Sequence, residues 1–220
     1  PAVPRVVVPG NHDVPLYRVH KRLLRPLDLY RQHISPELNG VIRLARGPAT
    51  IVWLDSTSPR RTISNGRLHL WQLRMCEEAF AETPPEMLRI VVAHHHFLTA
   101  PDFARDRRMQ RGGRALDLLV RQRVDLILGG HLHRAYLGNS LDTYAGRDRE
   151  HGVIVVQCGT STSRRGRGRE REKNSFNLIE AGDATITVTH HLHFHDHGRF
   201  EPTSRHEFPR PGRRSFDGVV

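Results

Sequence analysis

Residues 5–13 read RVVVPGNHD: a β-branched run that ends at Pro9 and Gly10 and passes at once into Asn11, His12 and Asp13. The run is short, apolar and bounded by proline, so it reads as a buried strand. Three polar side chains at the end of such a strand fit either a turn or a set of metal or phosphate ligands held on a rigid element. The rest of the chain decides between these.

Two further apolar runs end the same way. LRIVVAHHH, residues 88–96, places His94, His95 and His96 at its end, and VDLILGGHLH, residues 124–133, ends in two glycines, His131 and His133. A single histidine at a strand end is usually a surface or core residue. Three clusters in the same context are a pattern, because open α/β sheets gather their functional sites outside the carboxyl ends of strands. Imidazoles with amide and carboxylate oxygens suit divalent Mn, Fe or Zn. His131 and His133 could share one face of an extended backbone, or sit on a loop that the glycines let approach closely.

GNHD, VVAH and GGHLH, in this order, resemble the calcineurin-like metallophosphoesterases. IVWLDSTS with GRLHLWQL also resembles that family, and VVQCGTSTSRRGRG with NSFNLIE resembles its bacterial cyclic-nucleotide-phosphodiesterase-like branch. The likeness runs over residues 6–189. It implies an α/β fold of four layers (αββα), a β-sandwich flanked by helices, and hydrolysis of phosphate esters by metal-activated hydroxide at a dinuclear metal centre. By motif position it implies that Asn11, His94, His131 and His133 are metal ligands, with His95 the alternative if the HHH register shifts by one. It also implies that His12 is the catalytic group facing the phosphate and that Asp13 orients the His12 ring. His96 stands where close relatives often carry proline.

The family's upstream Asp-x-His and Gly-Asp do not occur before residue 11. Asp55 falls at a non-ligand family position and Asp125 precedes its strand. The resemblance therefore implies an N-terminally incomplete form of the fold. Asn11, His94 and His131 would hold one ion well, with His133 alone for the other.

The remaining chain reads as alternating helices and strands. A helix broken near Pro26, strands GVIRL and ATIVWLDS, and an amphipathic helix with Leu68, Trp71, Leu73, Met75 and Phe80 toward the core precede the second cluster. A helix over GGRALDLLVRQR separates the second cluster from the third, and the strands GVIVVQCGTS, SFNLIEA and ATITVTHHLHFH follow it. A domain over residues 1–197 and a basic tail over 198–220, rich in Pro, Gly and Arg and without a packed element, are expected.

Composition narrows the partners. The 220 residues carry a net charge of +11, nearly all of it arginine, which favours anionic ligands. Mean hydropathy is −0.52, and no apolar run approaches the roughly 20 residues of a membrane span. No secretory signal is visible, and Cys76 and Cys158 form no disulfide framework, so the expected compartment is cytoplasmic. A small phosphate ester is the expected substrate, and no membrane partner is expected. The arginine run Arg164, Arg165, Arg167, Arg169 and Arg171 is expected to be a flexible, solvated loop. It has no aromatic residues for base stacking, so nucleic acid is the weaker reading. His191, His193, His195 and His197 alternate, and are expected to form a polar strand face away from the site. Two other functions stay open: an impaired remnant that binds one metal or phosphate, and a nucleic-acid-binding protein or nuclease that uses the arginine surface.

Overall fold

The structure, a computed structural model, describes residues 3–44, 46–60, 65–98, 108–144 and 151–211. Short helices α1 (Val19–Leu24) and α2 (Asp28–His33) are separated at Pro26, whose ring cannot continue a helix. β1 (Gly40–Leu44) and β2 (Ala49–Leu54) form a hairpin. α3 (Leu70–Ala81) then leads to β3 (Leu88–Ala93), and α4 (Gly112–Arg121) leads to β4 (Leu126–Gly129). β5 (Tyr136–Asn139), α5 (Ser140–Thr143) and β6 (Ile154–Gln157) complete a six-stranded sheet in the order β1-β2-β3-β4-β6-β5. β2, β3, β4 and β6 run parallel in its centre, and both edge strands are antiparallel. A separate antiparallel sheet contains β7 (Ser175–Ala181), β8 (Thr185–Phe194) and β9 (Arg199–Pro209).

One face of the large sheet buries against α3 and α4. Gln72, Cys76, Ala79 and Phe80 form the inward stripe of α3, at the 3–4 residue spacing of one helix face. Leu68 and Phe80 are buried as expected, and Leu73 and Met75 pack on the core margin. Trp71, expected inside, is 54% exposed: it lies one position off the stripe, about 100° around the helix. The buried Gln72 is satisfied, accepting from the His69 N–H at 2.7 Å and donating to Asn39 Oδ1 and the Asp55 carbonyl. The other face packs Leu126, Ile154 and Val156 against Ile186 and Val188 of the small sheet. The result is a mixed α/β fold of helices, six-stranded sheet and three-stranded sheet. The outer face of the last exposes Phe176, Leu178 and Phe200.

Three expectations are corrected. Residues 5–8 pair with no described strand and carry no sheet assignment, and Val7, like Leu38, packs on Val14, Leu27 and Tyr30 instead. Residues after Gly198 do hold a packed element, because β9 pairs along the whole of β8. His191 and His193 lie on β8, but the strand ends at Phe194, so His195 and His197 fall in the turn rather than on a shared strand face. His191 stacks on Phe176 at 4.7 Å and His193 meets Phe200 edge-on at 5.1 Å, on the outer side of the small sheet.

Among the described residues no helix is long and apolar enough to cross a membrane.

Candidate metal centre

Parallel neighbours β3 and β4 end side by side, and the ladder continues past them: the Gly130 N–H donates to the His94 carbonyl at 3.1 Å. That bond brings the residues following the two strands, His94 and His131, to one rim. Asn11 arrives from the other side, on a single 3-10 turn (Asn11–Asp13) after the extended residues 6–10.

The three side chains converge. Asn11 Oδ1 lies 2.9 Å from His94 Nε2 and 3.2 Å from His131 Nδ1, and the two ring nitrogens are 3.3 Å apart. Donors bound to one ion at roughly 2.0–2.2 Å stand about 3.0–3.4 Å from one another, so this triangle fits a shared divalent cation. Burial, and then the positive influence of neighbouring basic rings, lowers His94 to about 2 and His131 to about 3. Both imidazoles are thus neutral at ordinary pH, which is the form that ligates metal.

Local backbone sets this geometry. His131 and His133 both adopt the left-handed conformation, at φ 65° and 55°, which costs a side-chain-bearing residue on the order of 1–2 kcal/mol each. A tight turn from the Leu132 N–H to the Gly130 carbonyl, 2.7 Å, and the buried Leu132 side chain hold the strained segment in place. The extended alternative for this segment is therefore excluded. Gly10 matters for space: a Cβ there would stand 2.8–3.0 Å from the His94 ring. Gly10→Ala should displace that ring and weaken divalent-metal binding by about tenfold, on the scale of lost ligand positioning. A metal titration checks this.

The other candidate residues separate from the triangle. His133 is outside it: its Nδ1 is 3.3 Å from the Arg165 carbonyl, and its ring centroid is 5.9 Å from that of His12. Burial and the nearby basic groups lower its pKa, against a raising contribution from the Arg165 carbonyl. His12 is exposed and contacts the Arg165 guanidinium, with Nη1 3.3 Å from Nε2 and 3.5 Å from Nδ1. Asp13 does not hold the His12 ring. Its carboxylate accepts from the Gly10 N–H at 2.7 Å and closes the turn. His95 contributes a third imidazole, with a ligand atom within 4.8 Å of those of His94 and His131. Its Nδ1 is 2.9 Å from Ser56 Oγ, which also accepts the His95 backbone N–H. His96 is buried and stacks on His131 at 5.5 Å.

Sequence reasoning missed Glu170. It is buried, accepting from the Ala135 N–H at 2.6 Å and from Ser175 Oγ at 2.8 Å. His190 Nε2 is 3.7 Å away. An acid inside an arginine run gives no pattern from which to foresee this. The flexible-loop reading of residues 164–171 is corrected: Glu170 anchors the segment, and the Arg167 N–H bonds the His133 carbonyl at 2.9 Å.

Residues 1–135 match the model of the calcineurin-like phosphoesterase family. The chain belongs to that family. Calcineurin-like phosphoesterases are metal-dependent, and this chain carries a histidine cluster able to bind metal at the place described. No curated protein matches the chain. Similar solved structures include Vps29 from Entamoeba histolytica complexed with zinc, at 17% identity and TM-score 0.34, covering 77% of this chain and 59% of that one. A putative 5′-nucleotidase from Staphylococcus aureus is 13% identical, with TM-score 0.36 and coverage of 81% and 30%. GAP50 of Plasmodium is 13% identical, with TM-score 0.45 and coverage of 78% and 53%. The chain thus spans between about a third and three fifths of the length of these structures.

Proposed function

We propose that this chain is a metal-dependent phosphoesterase whose substrate is a small phosphodiester, such as a cyclic nucleotide. The observation that carries the reading is the convergence of Asn11 Oδ1, His94 Nε2 and His131 Nδ1 within 3.3 Å at one sheet rim, with His12 exposed beside it. A bound divalent ion supplies a Lewis acid that offsets phosphoryl charge and makes water more acidic.

The chain's own residues divide the remaining work. Neutral His94 and His131 offer lone pairs from strand-anchored positions, and Asn11 offers an amide oxygen that needs no deprotonation. His12, on the open side, donates a ring N–H to a phosphoryl oxygen and passes that proton to the departing oxygen. Asp13 acts through backbone, because its bond to the Gly10 N–H fixes the turn that carries Asn11 and His12.

A second reading has its own support. His133 stands apart from the triangle, so these residues assemble one ion pocket, which suits binding of one metal and a phosphate without turnover. Hydrolysis of bis(4-nitrophenyl) phosphate separates the two. The first reading expects a rate that a chelator abolishes and Mn or Zn restores. It also expects His12→Ala to lower that rate by about 10²-fold or more with metal content unchanged. Phosphate binding without hydrolysis in the metal-loaded protein would support the second reading. A rate unaffected by His131→Ala would contradict the first.

A further inference from the structure

Resting on the phosphoesterase reading, we propose that Arg165 is a ligand-binding residue of this site and that it selects phosphate esters bearing a second phosphate group. Three observations carry the inference.

The first is position. Arg165 Nη1 is nearly equidistant from both ring nitrogens of His12, at 3.3 and 3.5 Å, so it is aimed at neither lone pair. The guanidinium therefore lies against the His12 ring on the exposed rim, bordering the place where a phosphate held by His12 would sit. Asp13, the acid of the same motif, is turned onto the Gly10 N–H and does not neutralise them.

The second is order. The loop that carries Arg165 is fixed at several points. The Thr160 hydroxyl donates to the Ser163 carbonyl at 2.8 Å, the Arg165 N–H donates to Ser163 Oγ at 3.1 Å, and the Arg167 N–H donates to the His133 carbonyl. Gly166 lies so close to the Glu170 carbonyl that a Cβ would collide with it, and buried Glu170 ties the far end to Ala135 and Ser175. A backbone held this way presents its guanidinium with little further ordering cost, and the planar fork matches phosphate oxygens.

The third is room for more charge. Arg164, the preceding residue, lines a cavity of about 550 Å³ together with Arg171, Lys173 and His195, in which Glu172 is the one acid. The loop therefore carries positive charge at two places, beside His12 through Arg165 and in this cavity through Arg164. A monophosphate seated at the rim uses only part of it, whereas a second phosphate on the same ligand would meet Arg165.

Equilibrium binding of adenosine 5′-monophosphate and adenosine 3′,5′-bisphosphate to the zinc-loaded chain tests this, with wild type compared to Arg165→Gln. One charge-assisted contact corresponds to about tenfold in affinity or more. The wild type should prefer the bisphosphate by at least about that factor, and Arg165→Gln should reduce the preference to within about threefold. Arg165 is exposed, so the substitution removes no core packing; an unchanged thermal melting curve verifies folding. A tenfold preference that survives in Arg165→Gln overturns the proposal. Equal binding of both nucleotides by wild type also overturns it and leaves the phosphoesterase reading standing. Failure of wild type to bind either nucleotide overturns the proposal, while hydrolysis of bis(4-nitrophenyl) phosphate still decides the phosphoesterase reading.

Discussion

His131→Ala should weaken the binding of a single divalent transition metal by on the order of 100-fold or more, as measured by competition with a fluorescent chelator. Loss of an outer partner of a metal ligand typically costs 10–100-fold, and loss of a direct ligand costs at least the upper end of that range. His131 is the direct case: its Nδ1 is 3.2 Å from Asn11 Oδ1 and 3.3 Å from His94 Nε2, so its removal opens one corner of a three-donor site. Alanine also leaves the residue at φ 65°, so the substitution does not relieve that backbone. His133→Ala is the internal control. Its ring lies beside His12 and the Arg165 carbonyl, and its loss should change affinity by less than about tenfold. Similar large losses in both variants would mean that the pair acts as one ligand set, against the geometry.

The second large effect is acid sensitivity of the metal-free protein. Burial is the main cause that brings His94 down to about 2 and His131 to about 3, with neighbouring basic rings adding to it. The unfolded chain protonates the same rings near the usual histidine value of about 6.5. Below that pH the unfolded state binds more protons than the folded state, so stability falls as pH falls. The contribution is fully present above about pH 6.5 and is lost progressively toward the folded values near 3 and 2. A histidine neutral in one state and charged in the other contributes about 1.4 kcal/mol per pH unit, less for the partly solvated His131. Between pH 6.5 and 5 the pair should cost on the order of 2–4 kcal/mol, read from urea unfolding with chelator present. His131→Ala should roughly halve this slope. A slope that does not change in the variant would place the charge change elsewhere.

The parts of the fold that the sequence made legible are those whose burial is one-sided or complete. The central strands β2, β3, β4 and β6 are continuous apolar runs because both faces of the sheet are covered, by α3 and α4 on one side and the small sheet on the other. β9 escaped notice for the opposite reason: most of its side chains are exposed, and it contains Pro202 and Pro209, so it carries no apolar alternation and exists through its pairing with β8. β5 is four residues with a glycine and a tyrosine, too short for a period. Residues 5–8 failed in the other direction. Their composition suits a strand, but a strand is made by its neighbour, and none of the described strands lies alongside.

The site was legible to a similar degree. Asn11, His94 and His131 each end a recognisable segment; the adjacent ends of β3 and β4 deliver His94 and His131 to one place, and the 3-10 turn brings Asn11 to it. The choice of His94 over His95 in a run of three histidines was not readable from composition. Structure separates them by partner, with Nε2 of His94 on Asn11 and Nδ1 of His95 on Ser56. Glu170 was hidden because an acid within a charged run looks solvated until its burial and contacts are seen.

The most direct test of the metal centre is anomalous scattering from crystals of the protein grown with one equivalent of zinc. A single peak is expected, lying about 2.0–2.2 Å from Asn11 Oδ1, His94 Nε2 and His131 Nδ1 together. A peak on His191 or His193 with none among these three atoms would contradict the account.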